Sequence, residues 1–141
     1  MERGTCYTAP MNIFSGSTDG SGLGAALTNP TQLARRKGRI KRDYPVHFRG
    51  VDWPDAEHAY LTLATGDADH DDKLMIEVIA AKFTQHAELR DAVKERGGVA
   101  FLETCKHITN AQSARFRAWE GFGRQSRFIR NLIDGYLLAV T

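Results

Sequence analysis

A chain of 141 residues, 42% hydrophobic and with only four prolines, is long enough to bury one core and too apolar for a disordered tail. The formal net charge of +2 is too mild to mark a nucleic-acid binder by itself, and no apolar run approaches the roughly 20 residues that span a bilayer. With no secretory h-region at the N-terminus, the expectation is a cytoplasmic protein without a membrane partner. Cys6 and Cys105 are far apart and lack C-x-x-C spacing, so they read as reduced thiols rather than as a bridge or a metal site.

In chain order, residues 5–15 alternate loosely, with Met11 and Ile13 on one side, and predict a first strand or extended segment ending at Phe14-Ser15. Gly16, Gly20, Gly22 and Gly24, mixed with serine, threonine and aspartate, read as a flexible loop. Glycine backbone also lets a phosphate come close, but the Gly-Lys-Ser/Thr ending of a P-loop is absent. Arg35-Arg36-Lys37-Gly38-Arg39-Ile40-Lys41-Arg42 then places six cations in eight residues. Such a run is either a solvated arm or an electrostatic guide for phosphates, on a small nucleotide or on a nucleic-acid backbone. With no aromatic inside it, the run does not read base sequence by itself.

Pro45 to Phe48 and Val51 to Trp53 flank Arg49-Gly50 and predict a two-residue hairpin with one face on the core. Pro54 suits the first position of a helix through Ala64, which puts Asp55 and Glu57 in the first turn and Ala56, Ala59, Tyr60 and Leu63 on the inward stripe. Asp67 to Asp72 form an acidic connector and a reasonable helix N-terminus, without the oxygen spacing of a calcium loop. Periodicity predicts helices over 71–85 and 87–96, the second ended by Gly97-Gly98. Val99 to Cys105 is nearly continuously apolar and reads as a buried strand. Asn110 is a candidate cap for a helix to Ala118, Trp119 to Gly123 form a loop, and Ser126 caps a last helix. Phe128, Ile129, Leu132, Ile133, Tyr136, Leu137 and Val140 are its core residues. The sum is one α+β domain, residues 1–141, mostly helical with a small β-hairpin or sheet.

The candidate chemistry lies in Trp53-Pro54-Asp55-Ala56-Glu57-His58-Ala59-Tyr60. Trp53 and Tyr60 flank Glu57, and rings around a carboxylate dry it and raise its pKa toward the range useful for proton transfer. The alternative is that the acids only complement the helix dipole and Trp53 is core. Adjacent helical positions point about 100° apart, so His58 reads as a supporting hydrogen-bonding residue. His86 and His107 read as surface or capping residues. Lys82, beside the core face of its helix, contacts a phosphate, pairs with an acid or snorkels.

The order Asn12-Ile13-Phe14-Ser15, Thr28-Asn29, Phe48 through Tyr60, Lys82 through Arg90 and Trp119-Glu120-Gly121-Phe122-Gly123 resembles the YbiA-like family, also called NADAR, over nearly the whole chain. The most specific pieces are Trp-Pro-x-x-Glu-His and Lys-Phe-x-Gln-His-x-x-Leu-Arg. The resemblance implies a metal-independent, cofactor-free N-glycosidase that hydrolyses the bond between a ribose, carried as ribosyl phosphate or ADP-ribosyl, and a nitrogen base. Phosphoribosylamino-pyrimidines and ADP-ribosylated guanine are the implied substrate classes. Cutting such a bond builds positive charge on the sugar carbon, so a carboxylate is needed beside it and a platform under the base. Glu57 is expected as the central catalytic acid, Glu120 as a second, and Trp119 as the platform. Asn12, Ser15, Asn29, Trp53, His58 and Lys82 are the expected substrate contacts. The acid directly after Trp119 stands one residue earlier than in the family pattern, and the link from Ala64 to Asp71 is short. Both leave open a module that binds a nucleotide or ADP-ribose without turnover. Arg35, Arg36, Lys37, Arg39, Lys41 and Arg42 leave open a nucleic-acid-binding module.

Overall fold

Ser126 starts the helix on which the rest of the chain is laid. In the computed structural model, which describes residues 9–141, its hydroxyl accepts from the Ile129 N–H at 3.1 Å and donates to the Trp119 carbonyl at 2.6 Å. One side chain thus caps α8 (Arg127–Val140) and ties its start to the preceding loop. The predicted stripe buries Phe128, Ile129, Leu132, Ile133 and Tyr136 against α4 (Ala68–Gln85), which buries Leu74, Met75, Val78, Ile79 and Phe83. The two helices run in the same sense: Asp72 meets Arg127 and Asn131 at one end, and the Phe83 and Tyr136 rings meet edge-on at 5.4 Å toward the other. Gly135 permits the close approach, since a Cβ there would stand 2.5 Å from Ile79 Cγ2 and 3.1 Å from the Ile76 carbonyl oxygen. Leu137 and Val140 depart from the expected stripe and are 39% and 47% exposed. Tyr136 already meets α4 near its end, so the last turn of α8 projects beyond that cover.

A smaller core lies under the hairpin β1 (Val46–Phe48) and β2 (Val51–Trp53), where Val46, Ala56, Ala59, Leu74 and Val78 are buried together. The strands pair antiparallel, and Arg49 and Gly50 both take positive φ, 52° and 76°, as a two-residue turn matching the strand twist requires. Gln85 closes the free edge of β1: its side-chain oxygen accepts from the His47 N–H and its amide donates to the His47 carbonyl, each at 2.8 Å. One residue on, His86 is buried, not at the surface, and its Nε2 donates to the Pro45 carbonyl at 2.7 Å.

Other elements correct the sequence reading. The helix after the hairpin, α3 (Ala56–Leu63), begins one residue past Asp55, so Pro54 is outside it and Asp55 is the N-cap. The acidic run is the N-terminus of α4, as its composition suggests, but the helix starts at Ala68 rather than at 71, because Asp67 accepts from the Asp69 and His70 N–H groups. Asp71 holds the α3–α4 turn from inside by accepting from the Thr65 and Gly66 N–H groups at 2.8 Å; these bonds, Thr65 foremost, bring its carboxyl down to about 2.

Val99 to Cys105 is not a strand. After α5 (Ala87–Glu95), Gly97 and Gly98 take positive φ and return their N–H groups to Lys94 and Val93, and the chain re-enters a helix at once as α6 (Val99–Glu103). Only one side of that apolar run is covered, with Leu102 and Cys105 buried and Ala100 exposed. Within residues 9–15 there is no strand either: Asn12 makes one isolated bridge to Lys106, and the earlier part of the expected strand lies outside the described residues. The glycine loop is pinned, and Leu23, Gly24, Ala25 and Ala26 form a short buried helix, α1, followed by α2 (Thr31–Arg36). The helix expected from Asn110 shrinks to α7 (Ala114–Arg117), capped by Ser113, while Asn110 itself takes a left-handed φ of 59°. A second small pair joins β3 (Lys106–His107) to β4 (Gly121–Phe122), and a 3-10 turn at Gly123–Gln125 leads into α8. The architecture is α+β, mostly helical, with two two-stranded antiparallel sheets. No helix among the described residues is long and apolar enough to cross a membrane.

Replacing Gly135 by valine drives a branched side chain into Ile79 at the α4–α8 crossing. The expected loss in chemical denaturation is about 1–3 kcal/mol, read as a lower midpoint at unchanged slope. A valine variant as stable as the parent would show that the two helices do not meet this closely.

Candidate functional site

The site is built at the mouth of α3. Asp55 is 1% exposed, and as N-cap it accepts from the His58 N–H at 3.0 Å, from the Gln32 N–H at 3.0 Å and from His58 Nδ1 at 2.6 Å. The supporting role expected of His58 is therefore toward Asp55. The Glu57 N–H, an orphan donor of the first helical turn, reaches the Asn29 carbonyl at 3.2 Å, so residues 29–32 lie across the start of the helix. Glu57 itself is partly buried. Burial first, and the neighbouring Asp55 charge second, push its carboxyl above the ordinary value, with His58 opposing.

Tyr60 stands one turn further along α3, on the same side as Glu57. Its ring packs edge-on against Trp119 at 5.9 Å, which brings the late loop to the α3 mouth. Burial raises the Tyr60 phenol, Asp71, Asp72 and Glu57 add to that, and Arg127 opposes. Arg127 is the residue that sequence reasoning missed. Its guanidinium lies 3.8 Å over the Trp119 ring and is held there by Asp72 at 2.6 Å. One face of the expected base platform is therefore already covered by a cation. Neither Arg127 nor Asp72 belongs to a motif, and their meeting across the helix pair leaves no sequence signal.

The other expected contacts are drawn into the framework. Glu120 is bonded to residues 109–111. Its carboxylate accepts from the Thr109 N–H at 2.6 Å, from the Thr109 hydroxyl and from the Ala111 N–H at 3.4 Å, bracing that loop. Burial would raise it, but these bonds and nearby His107 prevail and hold it below the usual carboxylate range. Asn12 exchanges two bonds with the Ile108 backbone, at 2.9 and 3.0 Å. Ser15 accepts from the Lys37 ammonium at 2.7 Å, and Trp53 donates its indole N–H to the Phe48 carbonyl at 3.1 Å. His107 is half-buried and donates from Nδ1 to the Ile13 carbonyl at 2.6 Å. Asn29 and Thr31 differ from these: both are buried, and Asn29 Oδ1 and Thr31 Oγ1 have no partner among the described residues. They lie in the segment bonded to Asp55 and Glu57.

Lys82 is 2% exposed and donates to the Ala26 and Thr28 carbonyls, each at 2.6 Å. A phosphate has no route to it. Burial lowers its pKa to about 7, with Asp55 opposing. A neutral amine carries two N–H donors, enough for both carbonyls. Lys82 therefore acts on the site through position, by fixing residues 26–28 so that Asn29 meets Glu57. A cleft of about 420 Å³ is lined in part by Ala26 and Tyr44, but neither Glu57 nor Trp119 borders it. Among the described residues, no three His, Cys, Asp or Glu side chains converge as a metal site would require.

Lys82→Met leaves the two carbonyls without donors, at a cost on the order of 1–3 kcal/mol each. It also removes a titration. Between about 7 in the folded chain and 10.5 in the unfolded one, the unfolded lysine binds more proton, so the stability of the parent rises with pH across that window and falls back toward pH 7. Denaturation of parent and variant at intervals over that range is expected to show a gap that widens with pH, by up to about 1.4 kcal/mol per unit. A constant gap would contradict the titration of a buried amine.

Compared with models of protein families, with curated proteins and with solved structures, the chain matches none.

Proposed function

We propose that this chain is an N-glycosidase of the YbiA-like kind, acting on a ribosyl or ADP-ribosyl group joined to a nitrogen base. The observation that carries the reading is the partly dehydrated Glu57 carboxylate at the α3 mouth, one turn from Tyr60 and, through Tyr60, beside the Trp119 loop. A carboxylate withdrawn from water interacts more strongly with a neighbouring cation, so it favours the charge that builds on the sugar carbon as the base leaves. As the bond from C1′ to the base nitrogen breaks, its electron pair goes to the base, which takes a proton from solvent. A water then adds to C1′ and gives its proton to Glu57. Glu57 alone fills the carboxylate role, because the Glu120 oxygen is taken up by the donors of Thr109 and Ala111.

A second reading, binding of a nucleotide or ADP-ribose without turnover, is favoured by Arg127. Its guanidinium occupies a Trp119 face on which a base would stack. Free base released from ADP-ribosylated guanine or from a ribosylamino-pyrimidine phosphate, measured by chromatography, separates the two; saturable binding with no product supports the second.

For the enzyme, Glu57→Gln is expected to lower kcat by at least about a hundredfold, in the manner of a lost electrostatic or acid–base group, while the melting temperature stays within a few degrees. Glu57 acts ionised, so the rate falls as pH drops through its raised pKa, and the acid limb lies above the ordinary 4.5. Asp55→Asn removes the like charge and moves that limb to lower pH. A rate profile that Asp55→Asn leaves in place would exclude Glu57 as the group being titrated.

A further inference from the structure

The 420 Å³ cleft lies between the 19–23 loop, the basic run and α5, and falls within the roughly 300–1,000 Å³ of small-molecule sites. Four cations line it, Arg39, Lys41, Arg42 and Arg96, against two acids, Asp19 and Glu88. Both acids are engaged internally. Asp19 accepts from the Ser21 hydroxyl and, at 3.1 Å, from the Leu23 N–H; Glu88 pairs with Arg42 at 2.7 Å. Arg42 is further held by the Tyr44 ring, 4.9 Å from its guanidinium carbon. Arg39 and Lys41 are exposed and joined to no acid among the described ion pairs, and Arg96 rests on the Phe101 ring at 5.6 Å. Hydrogen bonding to neutral donors leaves the Asp19 charge in place, where it acts on Arg96, so four cations against two carboxylates give the lining a net charge of +2. Leu23, Ala26, Leu89 and Ala92 supply an apolar part of the lining. A bare phosphate would leave that part empty, and an uncharged ring would leave the cations unanswered.

We propose that this cleft binds a nucleoside phosphate, with the phosphates on Arg39, Lys41 and Arg96 and the nucleoside on the Leu23–Ala92 side. The proposal concerns a second site, independent of Glu57 and of any glycosidase activity. The basic run then serves as one wall of a small-molecule site, and Ala26, which lines the cleft, is also a residue that Lys82 fixes.

The test is calorimetric titration of the full chain with ADP, and with adenosine and pyrophosphate as its two halves, at low and moderate salt. ADP is expected to bind at least tenfold more tightly than either half, and to weaken severalfold as salt screens the cations. Arg39→Gln combined with Arg96→Gln, both at exposed positions, is expected to lower ADP affinity at least tenfold with an unchanged melting temperature. With Trp119→Ala, which weakens any binding at the α3 mouth, one saturable ADP site is expected to remain and to be lost when Arg39→Gln and Arg96→Gln are added, which separates this site from the α3 mouth whether or not the chain cleaves glycosides. No saturable ADP binding up to millimolar concentration overturns the proposal. So does binding abolished by Trp119→Ala, and so does affinity for oligonucleotides that grows with length and depends equally on Arg35 and Arg36, which would make the run a nucleic-acid surface.

Discussion

The structure depends on one buried amine. Lys82 leaves the core face of α4 and donates to the carbonyls of Ala26, the last residue of α1, and of Thr28, just beyond it, with less than a tenth of its surface in water. Unpaired buried carbonyls are costly, so these two bonds hold residues 26–28 in place. Asn29 and Gln32, next along the chain, then bond to the first turn of α3 and its cap. The N-terminal segment, α3 and α4 are joined at this point by polar contacts inside an apolar surround, where each bond is stronger and each missing partner more damaging than at the surface. The unpartnered oxygens of Asn29 and Thr31 sit in the same segment.

From that junction the environments of the acids diverge. Asp55 is fully engaged as a cap, Glu57 is partly dried and pushed up, and Glu120 is drawn down by three hydrogen-bond donors. Pairs of carboxyls pushed apart in this way are how a site assigns different roles to chemically identical groups. Arg127 adds a constraint of another kind. Stacked on Trp119 and held by Asp72, it must yield a face, or share the ring, before a base can stack there. The same cation opposes the rise of the Tyr60 phenol, so moving it would change the electrostatics of the wall as well as its shape.

The Lys82-Phe83-x-Gln85-His86 segment, read at first as a marker of resemblance and a source of a phosphate contact, has a mechanical meaning. Lys82 holds 26–28, Phe83 enters the core, Gln85 completes the edge of β1 and His86 bonds Pro45. Three of these side chains, Lys82, Gln85 and His86, thus tie down the chain before and around the hairpin. No pattern rule reads such a segment, because each partner is distant in sequence: the bond from Lys82 to Ala26 spans 56 residues.

What the amino-acid sequence determined by itself was local. The hairpin turn at Arg49-Gly50, the Ser126 cap, the stripe from Phe128 to Tyr136 and the glycine stop after α5 follow from neighbours a few residues apart. Where local preference was ambiguous, packing chose. The apolar run from Val99 to Cys105 suits a strand or a helix, and one-sided cover by the core made it helical. The acids and rings at the α3 mouth were legible as a set, but tertiary structure decided their use: it put Trp119 against Tyr60, laid Arg127 over Trp119, bonded Glu120 to Thr109 and sealed Lys82 inside. Those outcomes depend on burial and on charges from distant parts of the chain, and neither quantity exists until the chain has folded.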